Sequence, residues 1–577
     1  VKRIKIPSNK EFGVEYQFQL VTQIKEELGD GIILHHEKTN NPQEILLTIK
    51  PEAIRRLAEV LKNKKNFRFL MDIATVHYPE QAKPFEVVYQ FYNYVQNKRV
   101  RVKVSVAEGE PIPSLTPLFK GANWLEREAF DMMGVKFSDH PNLTRILTHH
   151  KFVGHPLRKD YPATGNQVLD QPQVFTFPEL PEDPDADILT SQRMTINLGP
   201  SHPATHGTFR WFCELEGETI TRATTEIGYL HRCFEKMCET HKYQQIIPYT
   251  DRLNYCSAPM NNSGFCRAVE QLIGIEVPPR AQTIRVILNE LSRVIDHFVC
   301  IGTTAVDMGA LSTFWYCFKQ RENVYTLFER LCGNRMLTSI TRIGGVFGDI
   351  DDDWKRDCLT LIKEIRATVD EVDALLSKNK IWLNRMRGTG VISAEMALDY
   401  GFTGPCLRAS GIAHDLRKLE PYWGYENFEF NVPTATEGDN FARYWIRIQE
   451  QRESLRIVEQ ALHKLPSGPT VVDDPLIVLP PKHEVYSNIE ALMNHFMLII
   501  DGVKPPKGEV YSYTEAANGE LGFYIVSDGT GYPYRVKVRP PCFAIYSSFE
   551  EVVTGGLIAD AVATLGQFNV IAGELDR

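Results

Sequence analysis

The chain has 577 residues, 43% of them hydrophobic and 24% charged, with a formal net charge of −9. That length exceeds what one core holds, so two or more domains are expected, and the acidic balance without any long Lys/Arg run excludes recruitment of nucleic acid. The longest nearly apolar run, Leu492 to Ile500, is broken by Asn494 and His495 and falls far short of the roughly 18 residues of a membrane span. With no apolar signal core at the basic amino end, this predicts a cytosolic chain or one held at a membrane through a partner.

In chain order, Phe12 to Leu28 has helical spacing, residues 44–50 (EILLTIK) read as a strand, and Pro51 opens a helix through Leu61. Residues 85–94 and 99–106 alternate as strands joined at Gln96-Asn97-Lys98, most simply a hairpin. NWLEREAFDMMGV is a short amphipathic helix closed by Gly134. Glu126, Arg127, Glu128 and Asp131 are expected on its polar face, and the following loop is expected to expose His140, Arg145, His155, Arg158, Lys159 and Asp160. Residues 1–165 thus read as an α+β docking domain.

Residues 166–190 change character. Pro172, Pro178, Pro181 and Pro184 are interleaved with six acidic residues, and no Lys or Arg occurs between Lys159 and Arg193, as in an extended, self-repelling linker. From 191 the chain starts again. In GPSHPATHG the prolines and Gly199 and Gly207 force a turn carrying His202 and His206, followed by strand, turn and strand around Gly217. Ile284, Ile287, Leu288, Leu291, Val294, Ile295 and Phe298 then recur at helical spacing, and Phe314–Cys332, Asp351–Leu376 (Asp351 placed to cap) and Phe441–Leu465 behave similarly. Several such helices imply a bundle core. The stretch from Gly508 to Phe549 is expected to revert to short strands and Gly/Pro turns.

The eleven cysteines are scattered and no two stand three apart, so the chain contains no C-x-x-C. That predicts reduced thiols. It also removes nickel–iron catalysis, which needs two such pairs, and an iron–sulfur cluster held by this chain alone.

Residues 124–165, with their E-R-E opening, H-P-x-L-x-R-I-L middle and F-x-G-H-P-L-R-K-D-Y-P ending, resemble the signature of the C-type subunit of respiratory complex I, the proton-pumping NADH:quinone oxidoreductase. HPATH (202–206), YTDRLNYCSAPM (249–260), AVDMGALS (305–312), EIGYLHRCFEK (226–236) and the tail FNVIAGELDR resemble the D-type subunit, whose fold is related to the large subunit of nickel–iron hydrogenases. The whole is similar to a fused C/D subunit.

The resemblance implies an α+β fold: the docking domain at 1–165, the acidic linker, and a mixed domain with a helical-bundle core and peripheral hairpins at 191–577. It implies that His206 and Tyr255 ligate the quinone substrate, that Asp307 pairs with His206, and that His202, Arg232, Arg335 and Leu337 lie around the quinone and the terminal iron–sulfur cluster. Where the family reads R-M-H this chain has Arg335-Met336-Leu337, and the hydrogenase cysteine positions fall on Asn254 and Ser257. No cofactor is expected on this chain alone; iron–sulfur clusters, FMN and NADH belong to partner subunits. The implied partners are the cluster-bearing B-type subunit, the ferredoxin-like I-type subunit and the membrane subunit at the quinone entrance, on the cytoplasmic side of the bacterial inner membrane. A scaffold that only holds other subunits is the alternative, and would give His206, Tyr255 and Asp307 no reason to line one cavity.

Overall fold

The computed structural model describes residues 20–29, 32–38, 41, 43–162, 164, 167, 193–205 and 207–577. Of the helix expected at 12–28, residues 20–28 are helical, and 12–19 lie outside the described residues, as do 168–192 of the linker region.

The first half is a five-stranded sheet, β1 (Ile33–Lys38), β2 (Glu44–Ile49), β3 (Phe69–His77), β4 (Phe85–Asn93) and β5 (Lys98–Val106), in spatial order 1-2-5-4-3. The β4–β5 hairpin pairs Phe85 with Val106 and Asn93 with Lys98, and Asn97 takes the left-handed conformation (φ 52°) that the tight turn needs. β2 joins β5 in parallel. Between β2 and β3, Pro51 opens a short turn that runs into helix α1 (Ile54–Lys65), whose Ile54, Leu57, Ala58 and Leu61 pack into the core.

Helix α2 (Ala122–Met133) ends on Gly134 at φ 81°. Here an expectation fails. Glu126 and Asp131 are fully buried, the first against the segment that precedes α2 and the second under the loop that follows it. Glu126 accepts from Ser114 Oγ and Leu115 N–H, both at 2.7 Å. One Asp131 oxygen accepts the N–H groups of Ile146, Leu147 and Thr148, and the other pairs with Arg145 at 2.7 Å. The carboxylates that looked like a solvated face anchor the segments on either side of α2 instead, and of the loop residues expected to be exposed only Asp160 is fully so.

The second half begins with a three-stranded antiparallel sheet, β6 (Arg193–Leu198), β7 (Arg210–Glu216) and β8 (Thr219–Glu226), with Gly217 in the turn. Helices α3 (Ala258–Ile273), α4 (Pro279–Asp307), α5 (Leu311–Cys332), α6 (Asp352–Ser377) and α7 (Asn440–His463) form the bundle. Asp351 caps α6 by accepting from Trp354 N–H. α4 buries its apolar stripe, and it stops where Gly309 (φ 84°) lets Ala310 N–H turn back to the Ala305 carbonyl at 2.7 Å. The bundle interior is also ionic: His297 on α4 meets Glu450 on α7, Glu450 meets Arg408, and Arg408 meets Glu515.

β9 (Gly508–Ala516), β10 (Gly519–Ser527) and β11 (Arg535–Arg539) form a second three-stranded sheet. The strands expected through Phe549 stop at Arg539. Pro540-Pro541 ends the ladder and opens a helix over Pro541–Tyr546, proline being suited to a first turn. Helix α8 (Ile558–Phe568) and a last turn over Ala572–Asp576 complete the chain.

The halves meet along a buried seam. β3 is an edge strand, and its outer carbonyls are covered by side chains rather than by another strand: Arg539 donates to Met71 O, Arg535 to Thr75 O and Tyr534 to His77 O. Buried ion pairs flank this edge. Arg99 grips Glu520 with two bonds of 3.1 and 2.9 Å, Arg101 bridges Glu44 and Glu509, and Glu128 meets both Lys537 and Arg577.

Candidate functional site

The segment Tyr249–Ser257 is the hub of the site. It follows a helix over Tyr243–Thr250 and contains a single 3-10 turn over Tyr255–Ser257. Asn254 starts that turn and is almost wholly buried. Its Oδ1 accepts from Cys256 N–H (3.1 Å), its carbonyl accepts from Ser257 N–H and Asn261 Nδ2, and its Nδ2 donates to Asp296 on α4 (2.8 Å). Tyr255 leaves this fixed turn with 37% of its surface exposed. Burial of its phenol, with the neighbouring Cys256, Asp296 and Cys542, pushes its pKa up to about 12.

Asp307 is the last residue of α4 and is exposed. Asp296, to which the Tyr255 turn is tied, lies eleven residues earlier on the same helix, or about 16 Å along its axis.

Other expected residues converge on the hub from three sides. Arg232 donates to Tyr249 O at 3.1 Å and is half-buried. Its pKa is lowered by burial and by Arg252 nearby, and it makes no ion pair among the described residues. Its two acidic sequence neighbours are engaged elsewhere, Glu226 with Arg210 and Glu235 with Arg535. Leu337 is half-buried, and two residues on Ser339 Oγ donates to Asp251 at 2.6 Å. Arg335, by contrast, is held on its own side by Glu322 at 2.6 Å, in a half-exposed pair of small energetic weight.

The third side is the carboxyl-terminal tail. A Cβ on Gly573 would lie 2.3 Å from Arg252 O and 2.8 Å from Leu253 O, so the tail backbone packs directly on the hub and admits no side chain there. Asp576 accepts the N–H groups of Gly228 and Leu230, which shapes the loop that carries Arg232.

The HPATH turn joins β6 to β7. Pro203–Thr205 is a 3-10 turn, and Thr205, fully buried, donates to Pro200 O and His202 O. His202 Nδ1 accepts from Ala204 N–H at 3.1 Å, so in the neutral ring Nε2 carries the proton. Gly199 is required, since a Cβ would stand 2.2 Å from Phe209 O. His206 lies outside the described residues.

Where hydrogenase thiolates would stand, Asn254 and Ser257 are buried, and among the described residues no group of three or more His, Cys, Asp or Glu could hold a metal ion. Cys256 and Cys542 pack together with Ile571, and burial raises both thiols far above their usual range. Beside Cys542 lies Glu574, fully buried, accepting from Cys542 N–H at 3.0 Å, with its pKa pushed up to about 7 by burial. Sequence reading missed Asp296, Asn569, Gly573 and Glu574, and took Asn254 only as a vacated hydrogenase cysteine position. The one available signal was Asp296, a charge set beside the apolar stripe of α4.

This architecture, a hydrogenase-type helical core with amides and hydroxyls at the ligand positions, defines the class of the second half. Residues 307–577 match the family model of the respiratory-chain NADH dehydrogenase 49 Kd subunit, and residues 47–167 that of the 30 Kd subunit. The chain is 54% identical to the C/D subunit of NADH-quinone oxidoreductase from Bdellovibrio bacteriovorus, over 92% of this chain and 95% of that protein. It is 36% identical to the second C/D subunit (C/D 2) of the Aquifex aeolicus enzyme, over 96% and 99%, and 48% identical to the D subunit of the Myxococcus xanthus enzyme, over 69% and 99%. The chain belongs to the fused C/D subunits of NADH-quinone oxidoreductase, respiratory complex I, and is a peripheral-arm subunit of that oxidoreductase, with other complex I subunits as partners. No helix among the described residues is long and apolar enough to cross a membrane.

Proposed function

We propose that the second half forms part of the quinone-reduction pocket, beside the terminal iron–sulfur cluster of a partner subunit. The observation that carries this is the hub: one segment fixes Tyr255, a half-exposed phenol at a rigid turn, and also holds Arg232, a half-buried cation without a carboxylate partner among the described residues. Reducing a quinone to a quinol adds two electrons and two protons, and its oxygens become more basic as the electrons arrive. Tyr255 stays protonated at neutral pH, donates a hydrogen bond, and gives up its proton only when charge has developed on the oxygen it faces.

His206 is the second donor, with Asp307 behind it. A carboxylate beside an imidazole fixes which ring nitrogen carries the proton, the role that Asp307 at the carboxyl end of α4 takes toward His206 in this reading. Arg232, with no counter-ion among the described residues, offers compensation for a reduced cluster held by the partner, and the half-buried Leu337 makes that neighbourhood more apolar.

Residues 1–165 and 191–577 act as two domains joined by the acidic linker. The flavin, the iron–sulfur clusters and the NADH site belong to other subunits. The cluster-bearing B-type subunit, the ferredoxin-like I-type subunit and the membrane subunit at the quinone entrance are the neighbours, on the cytoplasmic face of the bacterial inner membrane.

Tyr255→Phe in the assembled complex tests the reading. It should leave assembly intact and slow quinone reduction about 10²-fold, the loss expected for one donor at a reacting oxygen. Full activity would end the assignment and favour a scaffold.

A further inference from the structure

Asp296 sits on α4 with none of its surface exposed. Its Oδ2 accepts from Asn254 Nδ2 at 2.8 Å and its Oδ1 from Asn569 Nδ2 at 2.6 Å. Neighbouring charges on the same helix are paired, Arg293 with Glu290 and His297 with Glu450, but Asp296 takes part in no ion pair among the described residues. Arg447 on α7 is near enough to act on its charge but spends its own bonds on Arg443 O and Gln567. A carboxylate buried between two neutral amides is a poor device for stability, because its charge is desolvated without a cation in contact.

Its two partners have one thing in common. Asn254 has both side-chain ends and its carbonyl committed and immediately precedes Tyr255. Asn569, at φ 52°, bonds Asn518 and starts the tail whose Gly573 packs on the carbonyls of Arg252 and Leu253. Asp296 is therefore bonded both to the turn that presents Tyr255 and to the tail that closes behind it.

We propose that Asp296 is the positioning residue of the Tyr255 donor, clamping the Asn254 turn against the Asn569 tail so that the phenol is held for the quinone oxygen. This rests on the reading that Tyr255 faces quinone. The donor–acceptor pattern admits one reciprocal exchange, Asn254→Asp together with Asp296→Asn. The carboxylate then placed at position 254 still accepts from Cys256 N–H and also from the amide at position 296, whose oxygen accepts from Asn569. A single Asp296→Asn change instead sets an amide NH₂ against one of the two amide donors.

The ionisable groups acting on Tyr255 are Cys256, Asp296 and Cys542, all opposing its ionisation, and Arg321 on α5 faces Cys256. Glu574 stands beside Cys542, and Arg447 and His297 face Asp296. Removing the Asp296 charge therefore eases loss of the phenol proton, and the exchange moves that charge next to Tyr255.

The test uses the intact complex with a short-chain benzoquinone and a short-chain naphthoquinone as probes. Asp296→Asn should lower kcat about tenfold, the cost of one misplaced hydrogen bond, with KM nearly unchanged, and should bring the alkaline limb of the pH profile to lower pH. The reciprocal Asn254→Asp/Asp296→Asn variant should recover kcat to within about threefold of the parent and move that limb to higher pH. In a Tyr255→Phe background, Asp296→Asn should cost nothing further. An equal additional loss in that background overturns the proposal while leaving the Tyr255 reading standing; a fully active Tyr255→Phe overturns the Tyr255 reading and the proposal with it. A reciprocal variant that assembles but is as slow as Asp296→Asn also overturns the proposal. Should Asp296→Asn fail to assemble, the reciprocal variant with and without Tyr255→Phe decides by the same criteria.

Discussion

The seam between the two halves and the hub around Tyr255 are both buried, and they treat charge in opposite ways. Along the seam the arginines meet carboxylates: Arg99 with Glu520, Arg101 with Glu44, Arg535 with Glu235, Arg577 with Glu128, while Arg539 spends its donors on carbonyls and the Thr403 hydroxyl. At the hub three ionisable groups make no ion pair among the described residues. Arg232 has a carbonyl, Asp296 has two amides, and Glu574 has a backbone N–H. A protein interior tolerates paired charges for structure and single ones where something else is to be served. The contrast separates what holds the subunit together from what it is for.

Breaking a seam pair should have the largest effect. Arg99→Met leaves Glu520 and Glu420 facing a buried space without their cation, which should cost about 3–5 kcal/mol and show as poor recovery of assembled complex. In the complex that does assemble, kcat and KM for quinone should be unchanged. A large kinetic defect there would erase the distinction between seam and hub.

At the hub, Glu574 titrates in the folded chain near 7, against a usual value of 4.5. A raised carboxyl pKa means the folded state keeps a proton that the unfolded state has lost, so stability falls as pH rises between those two values. The loss from this one group is on the order of 3 kcal/mol. Glu574→Gln keeps the acceptor for Cys542 N–H and should flatten the fall of melting temperature across that window. An unchanged slope would mean that Glu574 has a neutralising partner after all.

A smaller effect is expected at Leu337. On the proposed placement of a partner's cluster beside Leu337, a leucine takes up no proton when that cluster is reduced, so its potential should depend weakly on pH, and Leu337→His should steepen the dependence. A parent slope already close to about 59 mV per pH unit, one proton per electron, would show another proton acceptor beside the cluster. The smallest effect is predicted for separating the halves as residues 1–170 and 188–577. With the Arg99–Glu520 and Glu128–Lys537/Arg577 pairs all carried by residues outside the linker, the two chains should co-assemble with parental activity. Failure to co-assemble would give the linker a structural part.

Much of the fold is legible in the sequence because it is local. The β4–β5 hairpin, the Asp351 cap and the Pro51 helix start each follow from residues a few positions apart. β3 escapes such a reading because all nine of its residues are buried and the alternation that marks a strand is gone. The seam is illegible for another reason: Arg99 and Glu520 stand 421 residues apart, and nothing near either one names its partner. At the site, the family resemblance points to the first residues to touch a substrate, but the amides behind Tyr255 are ordinary asparagines until Asp296 is seen between them.

The cover on the edge of β3 has a consequence in time. Its carbonyls at Met71 and Thr75 are satisfied by side chains that follow them by 468 and 460 residues. Synthesis at roughly 5–20 residues per second leaves that edge open for about 20 to 90 seconds on every ribosome. For that interval a strand with no polar residue between Phe69 and Met71 and only one before Ala74 is a template for any other strand that drifts past, a neighbouring nascent copy included. The newborn chain is thus most exposed to error at this sheet, and the arginines that end the exposure are made 468 and 460 residues after the carbonyls they cover.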